Sequence, residues 1–169
     1  MSFRYWTTDT PIGPWTVVVN EDNVVVVSGF EDAETTLARL PQAERSATKA
    51  AELGGVSAAV HSYLAGDARA LDSVEVVQPG GAFRQSVWEV MRHIPAGETW
   101  SYTELATKAG NPDAARAAAS ACATNMVAPF VPCHRVVRSD GSLGGYYYGL
   151  PAKRWLLDLE RHSEPGGLF

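Results

Sequence analysis

The sequence predicts an α/β protein in two lobes: an amino-terminal lobe on a three-stranded antiparallel sheet, and a mostly helical carboxy-terminal lobe. Three observations lead there. Residues 3–27 alternate short aromatic and β-branched runs with turn-forming residues. From Phe83 onward the apolar residues recur instead at the spacing of a helix face. Between the two patterns, Gln78-Pro79-Gly80-Gly81 has the composition of a linker, so the lobes are drawn at 1–79 and 80–169. A chain of 169 residues, 46% hydrophobic and 20% charged, buries a core large enough to fold without disulfides.

In the first lobe, strands are expected over Phe3–Thr7, Trp15–Val19 and Val24–Val27. Pro11-Ile12-Gly13-Pro14 and Asn20-Glu21-Asp22-Asn23 break them into a meander. Asp32–Leu40 suits a short helix, and Val56, Val60, Tyr63 and Leu64 share a helical face that Gly66 ends. In the second lobe, Phe83, Val87, Trp88, Met91 and Ile94 form one apolar face, stopped by Pro95-Ala96-Gly97. A further helix is expected over Tyr102–Ala109. After Gly110 and Asn111 comes another over Asp113–Thr124, with Asn111 as cap and Pro112 in the first turn. Two helices joined so tightly make either a DNA-reading helix-turn-helix or a structural corner. The last of them is almost bare: alanines, with Arg116 the only long side chain before Cys122. Such a helix approaches a nucleic-acid groove or a neighbouring helix equally closely. Ser163–Phe169 reads as a frayed tail.

Charge is uneven. The net −5 argues against a generally basic coat, yet residues 1–79 hold 5 Lys/Arg against 11 Asp/Glu while residues 80–160 hold 8 against 7. Phosphate therefore suits the second half better. No run approaches the ~20 apolar residues of a membrane span, and the start lacks a signal-peptide core, which together point to the cytoplasm. Cys122 and Cys133 are too few for a four-thiolate zinc site.

Pro132-Cys133-His134-Arg135-Val136 places a nucleophilic sulfur, an imidazole and a guanidinium on consecutive residues. A thiolate is the strongest side-chain nucleophile at neutral pH, and a nearby base or positive charge lowers the thiol pKa. His134 and Arg135 offer both. The same pentapeptide also fits a small buried cysteine beside a surface histidine.

Context favours a reactive centre. Gly97-Glu98-Thr99-Trp100-Ser101-Tyr102, Asn111-Pro112 through Arg116-Ala117, Asn125, Pro132–Val136, Gly144-Gly145-Tyr146 and Lys153–Glu160 stand in this order and spacing. In them the region Phe83–Glu160 resembles the catalytic domain of the O6-alkylguanine-DNA alkyltransferases, also called methylated-DNA:protein-cysteine methyltransferases. Thr10-Pro11-Ile12-Gly13-Pro14 resembles the amino-terminal opening of that family. The resemblance implies a stand-alone repair protein with a ribonuclease-H-like first lobe and a helix-turn-helix in the second. Its activity would be one-turnover transfer of an alkyl group, chiefly methyl, from guanine O6 in duplex DNA to Cys133, with thymine O4 as a second candidate donor.

By the same resemblance His134 is the base, acting through a water, and Glu160 orients it; Asn125 is the hinge between recognition helix and active-site strand. Arg116 enters the base stack when the damaged nucleotide flips out, and Ala115, Ala117 and Ala119 line the minor-groove face. Tyr102 donates to guanine N3. Tyr146 walls the pocket, the N–H of Tyr147 meets O6, and the carbonyls of Cys133 and Val136 read the exocyclic amine. Lys153 and Tyr148 are expected with the substrate-binding residues, and Arg135 with the DNA-binding ones. The partner is double-stranded DNA, bound by a monomer through the minor groove, and the resemblance implies no metal or organic cofactor, because the DNA is itself the methyl donor. Three departures carry expectations of their own. Ala119-Ser120-Ala121-Cys122-Ala123 replaces the Gly and Arg of many members, which weakens or shifts the groove contact. Met126 follows the hinge where Pro is common, which loosens it, and Tyr147-Tyr148 narrows the pocket mouth. A cysteine hydrolase, a lesion binder without transfer activity and a thiol redox protein are the competing readings.

Overall fold

The structure is a computed structural model and describes residues 2–41 and 46–162; the tail expected to fray, Ser163–Phe169, lies outside them. Its fold is mixed α/β. Strands β1 (Phe3–Thr10) and β2 (Gly13–Val19) pair antiparallel with Trp6 opposite Val17, and β3 (Val25–Gly29) continues the meander. Helix α1 (Ala33–Leu37) follows, its first turn capped by the Asp32 carboxylate, which accepts from the Thr35 N–H at 2.8 Å.

The sheet has four strands rather than three. After α1 the chain returns as β4 (Ala47–Lys49), parallel to β1, in the order β3-β2-β1-β4. Three largely exposed residues, Ala-Thr-Lys, offer no apolar alternation for a sequence reading to detect, and main-chain bonds to the β1 edge are what define the strand.

Helix α2 (Gly55–Leu64) buries Val56, Val60 and Tyr63, and α3 (Ala82–Met91) buries Val87, Trp88 and Met91. Strand β5 (Trp100–Ser101) leads into α4 (Tyr102–Lys108) through a reciprocal cap between Ser101 and Glu104. Helix α5 (Ala115–Ala123) comes next and packs on α3 and α4. It starts two residues later than its sequence suggests. The Asn111 carboxamide accepts from the Asp113 N–H at 3.1 Å and closes a turn of its own, so Asn111 and Pro112 precede α5 instead of opening it. A 3₁₀ turn at Cys133–Arg135 runs into β6 (Val136–Val137), parallel to β5, and α6 (Leu150–Arg161) closes the described chain.

One core crosses the expected lobe boundary. Trp15, Val17, Val60 and Tyr63 from the first half pack in the same cluster as Trp88, Met91, Leu105, Ala118, Val131 and Leu156 from the second. Val18 and Val27, alternating to the other face of the sheet, join Phe3 and Leu40 in a smaller cluster. Polar bonds cross as well: the Trp15 indole donates to the Ser28 hydroxyl at 2.9 Å, and that hydroxyl donates to the Ala128 carbonyl at 2.7 Å. The Ser28 N–H donates to the Met126 carbonyl at 2.8 Å, so β3 reaches the segment leading to Cys133. Among the described residues no helix is long and apolar enough to cross a membrane.

Candidate active site

Cys133 opens the 3₁₀ turn at the end of a buried run, Val127–Pro132, and its own side chain is buried. Its sulfur accepts from Asn125 Nδ2 at 3.4 Å. Burial pushes the Cys133 thiol up, and the Asn125 hydrogen bond and the Lys153 charge offset this only in part. The expectation that neighbouring cations lower this pKa in the free protein is therefore corrected. Arg135 is turned away from the sulfur, its Nε donating to Glu160 Oε1 at 2.8 Å and its NH1 to the Ile94 carbonyl at 2.8 Å. The same contacts, with the side chain buried, remove Arg135 from any surface that DNA could touch. A thiol held protonated at rest needs a base at the moment of reaction.

His134 is fully buried and its Nε2 lies 2.7 Å from Glu160 Oε2. Burial alone would raise the Glu160 carboxyl, but His134 and Arg135 outweigh it and hold the group well below the usual carboxylate range. An ionised carboxylate only accepts, so Nε2 carries the hydrogen and Nδ1 keeps its lone pair. Nδ1 has no hydrogen-bond partner among the described residues. Burial also lowers the imidazole pKa, with Glu160 opposing, so the neutral form dominates at neutral pH. The α2 residue Tyr63 donates its hydroxyl to the same Glu160 oxygen at 2.6 Å. Sequence periodicity assigns Tyr63 only to an apolar helix face.

Asn125, just past α5, joins that helix to the cysteine turn. Its Nδ2 also donates to the Val131 carbonyl at 2.8 Å, and its Oδ1 accepts from Gln78 Nε2 at 3.0 Å and from the Val127 N–H at 3.1 Å. Gln78, in the expected linker, is buried, and its Oε1 accepts from the Met126 N–H at 2.8 Å. The loosening expected from Met126 is met by this bond, which a proline could not make.

A cavity of about 300 Å³ opens over Cys133, walled by Tyr102, Ala119, Cys122, Asn125, Tyr146, Tyr147 and Tyr148. Gly144, at φ +73°, lets the chain pass the Tyr102 hydroxyl, which a Cβ there would meet at 3.2 Å. The Tyr146 hydroxyl is buried without a partner among the described residues. Tyr147 is 62% exposed at the rim, under the Arg39 guanidinium at 5.0 Å from its ring centre. Tyr148 is anchored in the first half: its hydroxyl accepts from Arg39 NH1 at 2.8 Å, and a Cβ on Gly29 would fall 1.9 Å from its oxygen. Arg39 NH2 also donates to the Asn125 carbonyl at 3.2 Å, a role no sequence signal announces.

Two residues expected at the substrate sit behind the wall. Lys153 is buried and its ammonium donates to the carbonyls of Val136 at 2.7 Å, Gly145 at 3.2 Å and Leu143. That ties down the loop carrying the tyrosines and takes Lys153 out of the cavity lining. Val136, whose carbonyl faces Lys153, is likewise absent from it, while the Cys133 carbonyl accepts the Val136 N–H. On α5, Ala118 and Ala121 are buried, Ala115 and Ala119 half-buried, and Arg116 and Ala117 exposed.

The family model described as 6-O-methylguanine DNA methyltransferase, DNA binding domain, matches residues 82–162. The methylated-DNA-protein-cysteine methyltransferase of Mycobacterium tuberculosis is 40% identical over 170 residues, covering 98% of this chain and 96% of that protein. The chain belongs to the methylated-DNA-protein-cysteine methyltransferase family. A second relative is the Escherichia coli bifunctional transcriptional activator/DNA repair enzyme Ada, 54% identical over 85 residues, or 50% of this chain and 24% of that one. The chain thus spans about a quarter of that longer relative and nearly all of the mycobacterial one. The crystal structure of M. tuberculosis OGT in complex with DNA superposes with a TM-score of 0.77 at 36% identity, covering 94% of this chain and 92% of that one. A methyltransferase of this family carries its acceptor on a cysteine, and the described cavity has Cys133 as its buried floor, with Cys122 on the wall. Burial raises the Cys122 thiol strongly, which leaves it a poor nucleophile at neutral pH.

Proposed function

We propose that the protein repairs DNA by direct reversal, moving an alkyl group from guanine O6 to the sulfur of Cys133 once per molecule. The observation that carries this reading is the cavity over Cys133, with Asn125 on the sulfur and the buried His134–Glu160 pair behind it. The thiol proton passes through a water to His134 Nδ1, the unpartnered nitrogen, and the imidazolium is compensated by Glu160. The sulfur then bonds to the alkyl carbon as the carbon–O6 bond breaks. The electron pair stays on guanine, whose anion accepts a hydrogen bond at N3 from the Tyr102 hydroxyl and is then protonated by solvent. The thioether has no route back to a thiol, so the molecule works once.

In this reading the α4–α5 pair is a helix-turn-helix, α5 lies in the minor groove along Ala115, Ala117 and Ala119, and Arg116 fills the gap left by the flipped nucleotide. The Tyr146 hydroxyl, buried without a partner, faces O6, and Tyr147 and Tyr148 restrict the mouth so that methyl is preferred over benzyl. The first lobe, 1–79, is ribonuclease-H-like, the second, 80–169, holds the reaction, and a monomer acts on double-stranded DNA without a cofactor. The test is transfer of labelled methyl from O6-methylguanine duplex, followed by mass spectrometry of the peptide bearing Cys133. One methyl per chain is expected on Cys133, none on Cys122, and none in Cys133→Ser, whose alcohol is not ionised at neutral pH. Many methyls per chain, or a methylated Ser variant, would contradict it.

A further inference from the structure

Glu160 is more fully engaged than an orienting carboxylate requires. Its Oε2 receives His134 Nε2 at 2.7 Å, the Tyr63 hydroxyl at 2.6 Å and Arg135 NH2 at 3.1 Å, and its Oε1 receives Arg135 Nε at 2.8 Å. His134 and Arg135 come from the cysteine turn itself. Tyr63 comes from α2, in the other half of the molecule, where its ring stands edge-on to Trp15 at 6.0 Å between centres. A residue whose only task was to fill the core needs no hydroxyl, and phenylalanine would pack as well. Placing a buried phenol within hydrogen-bond distance of a buried carboxylate is therefore a specific arrangement.

We propose that Tyr63 is a positioning residue for the transfer reaction: its hydroxyl fixes the Glu160 carboxylate against His134 and moderates the basicity of that imidazole. The proposal rests on the reading of His134 as the base. Two effects follow from the shared oxygen. Held from α2, the carboxylate cannot rotate away from Nε2, so the tautomer that leaves Nδ1 free persists. A donor on Oε2 also withdraws charge that would otherwise stabilise the imidazolium, so the base stays neutral, and hence able to accept, at lower pH. Other charged groups around this imidazole are Lys153 from α6 and, from its own turn, Arg135, while the neighbouring Cys133 is a neutral thiol at rest. Asp72 and Arg92 act on Arg135, Asp72 also acts on Glu160, and Tyr146 acts on Cys133, Tyr63 and Glu160.

The experiment is single-turnover methyl transfer from saturating O6-methylguanine duplex, measured against pH. Wild-type protein is compared with Tyr63→Phe and with protein carrying 3-fluorotyrosine at position 63, whose hydroxyl is a stronger donor. Removing the donor should move the low-pH limb of the rate upward by about half a pH unit, roughly threefold in the neutral imidazole fraction below the limb. Fluorination should move it downward. Opposite displacements from two near-isosteric changes are not produced by packing alone. If both proteins fold and keep the wild-type limb, the role of Tyr63 is rejected; if the Phe variant fails to fold, the direction in which fluorotyrosine moves the limb decides. His134→Gln separates the two layers: full transfer in that variant overturns the base itself, whereas loss of transfer with an unmoved limb in the Tyr63 proteins overturns only the present proposal.

Discussion

Asn125 binds five partners with one side chain and one carbonyl: the cysteine sulfur, Val131, Val127, Gln78 and Arg39. Two of them, Gln78 and Arg39, come from the first half of the chain. Gln78 is the more consequential, because its amide also takes the Met126 N–H and so replaces with a hydrogen bond the stiffness that a proline would bring. Gln78→Leu keeps the volume and removes the bonds, leaving the half-buried Met126 N–H unpaired and Asn125 Oδ1 with one donor. Unsatisfied buried groups cost about 1–3 kcal/mol each. A loss of about 2 kcal/mol in urea unfolding, with slower methyl transfer, is expected; unchanged stability would show the latch to be idle. Little of this is legible in the sequence. Pro79-Gly80-Gly81 tells that the chain turns there, but composition does not tell that the side chain just before the turn points inward. Cys133 and His134 stand out, by contrast, because a thiol beside an imidazole is chemistry carried by residue type and order. Glu160 is reached only through the family resemblance, since its local sequence does not set it apart from the other carboxylates.

Helix α5 is the element on which the proposed DNA contact depends. Its buried face is made of Ala118 and Ala121, and Trp88 donates its indole N–H to the Ala121 carbonyl at 2.9 Å, so α3 fixes the helix from behind. Its exposed face carries Arg116 and otherwise only small residues. Arg116→Ala should lower transfer from duplex DNA at least about tenfold, since unstacking costs a few kcal/mol and each ~1.4 kcal/mol lost is worth a factor of ten. Transfer from free O6-alkylguanine should hardly change. A parallel fall on both substrates would assign Arg116 a structural role. The periodicity of apolar residues locates α2 and α3, because burial imposes it. The start of α5 escapes it because Asn111-Pro112-Asp113 satisfies the rules for a helix start and for a turn alike, and only the carboxamide bond to Asp113 selects the turn. Strand β4 leaves no trace in the sequence, since an exposed three-residue edge needs no apolar pattern.

At the scale of the molecule, the division into two lobes describes the chain better than it describes the core. Trp15, Tyr63 and Trp88 share one cluster, and the Glu160 network is closed by a phenol from α2, so the reaction centre and the fold are stabilised by the same contacts. Acid should therefore unfold the protein through its own active site. His134 is held below its ordinary 6.5 by burial, so the unfolded chain binds that proton first and stability falls as pH drops below about 6.5. Glu160 is held well below its ordinary 4.5, so a second loss begins as pH falls through the range where the unfolded carboxylate is protonated. Both groups contribute stability that is present at neutral pH, and both lose it in the same direction. For either group, a tenfold difference in proton affinity between the folded and unfolded chain corresponds to about 1.4 kcal/mol. Urea midpoints should decline from about pH 7.5 to 5.5 and more steeply below about pH 4.5, and methyl transfer should outlast the start of the first decline, because it fails only when His134 of the folded protein takes up a proton, below its ordinary 6.5. His134→Phe removes the first titration: in that variant the midpoint should stay level between about pH 7.5 and 5.5, and a decline matching the wild type would show that other groups set the acid limit.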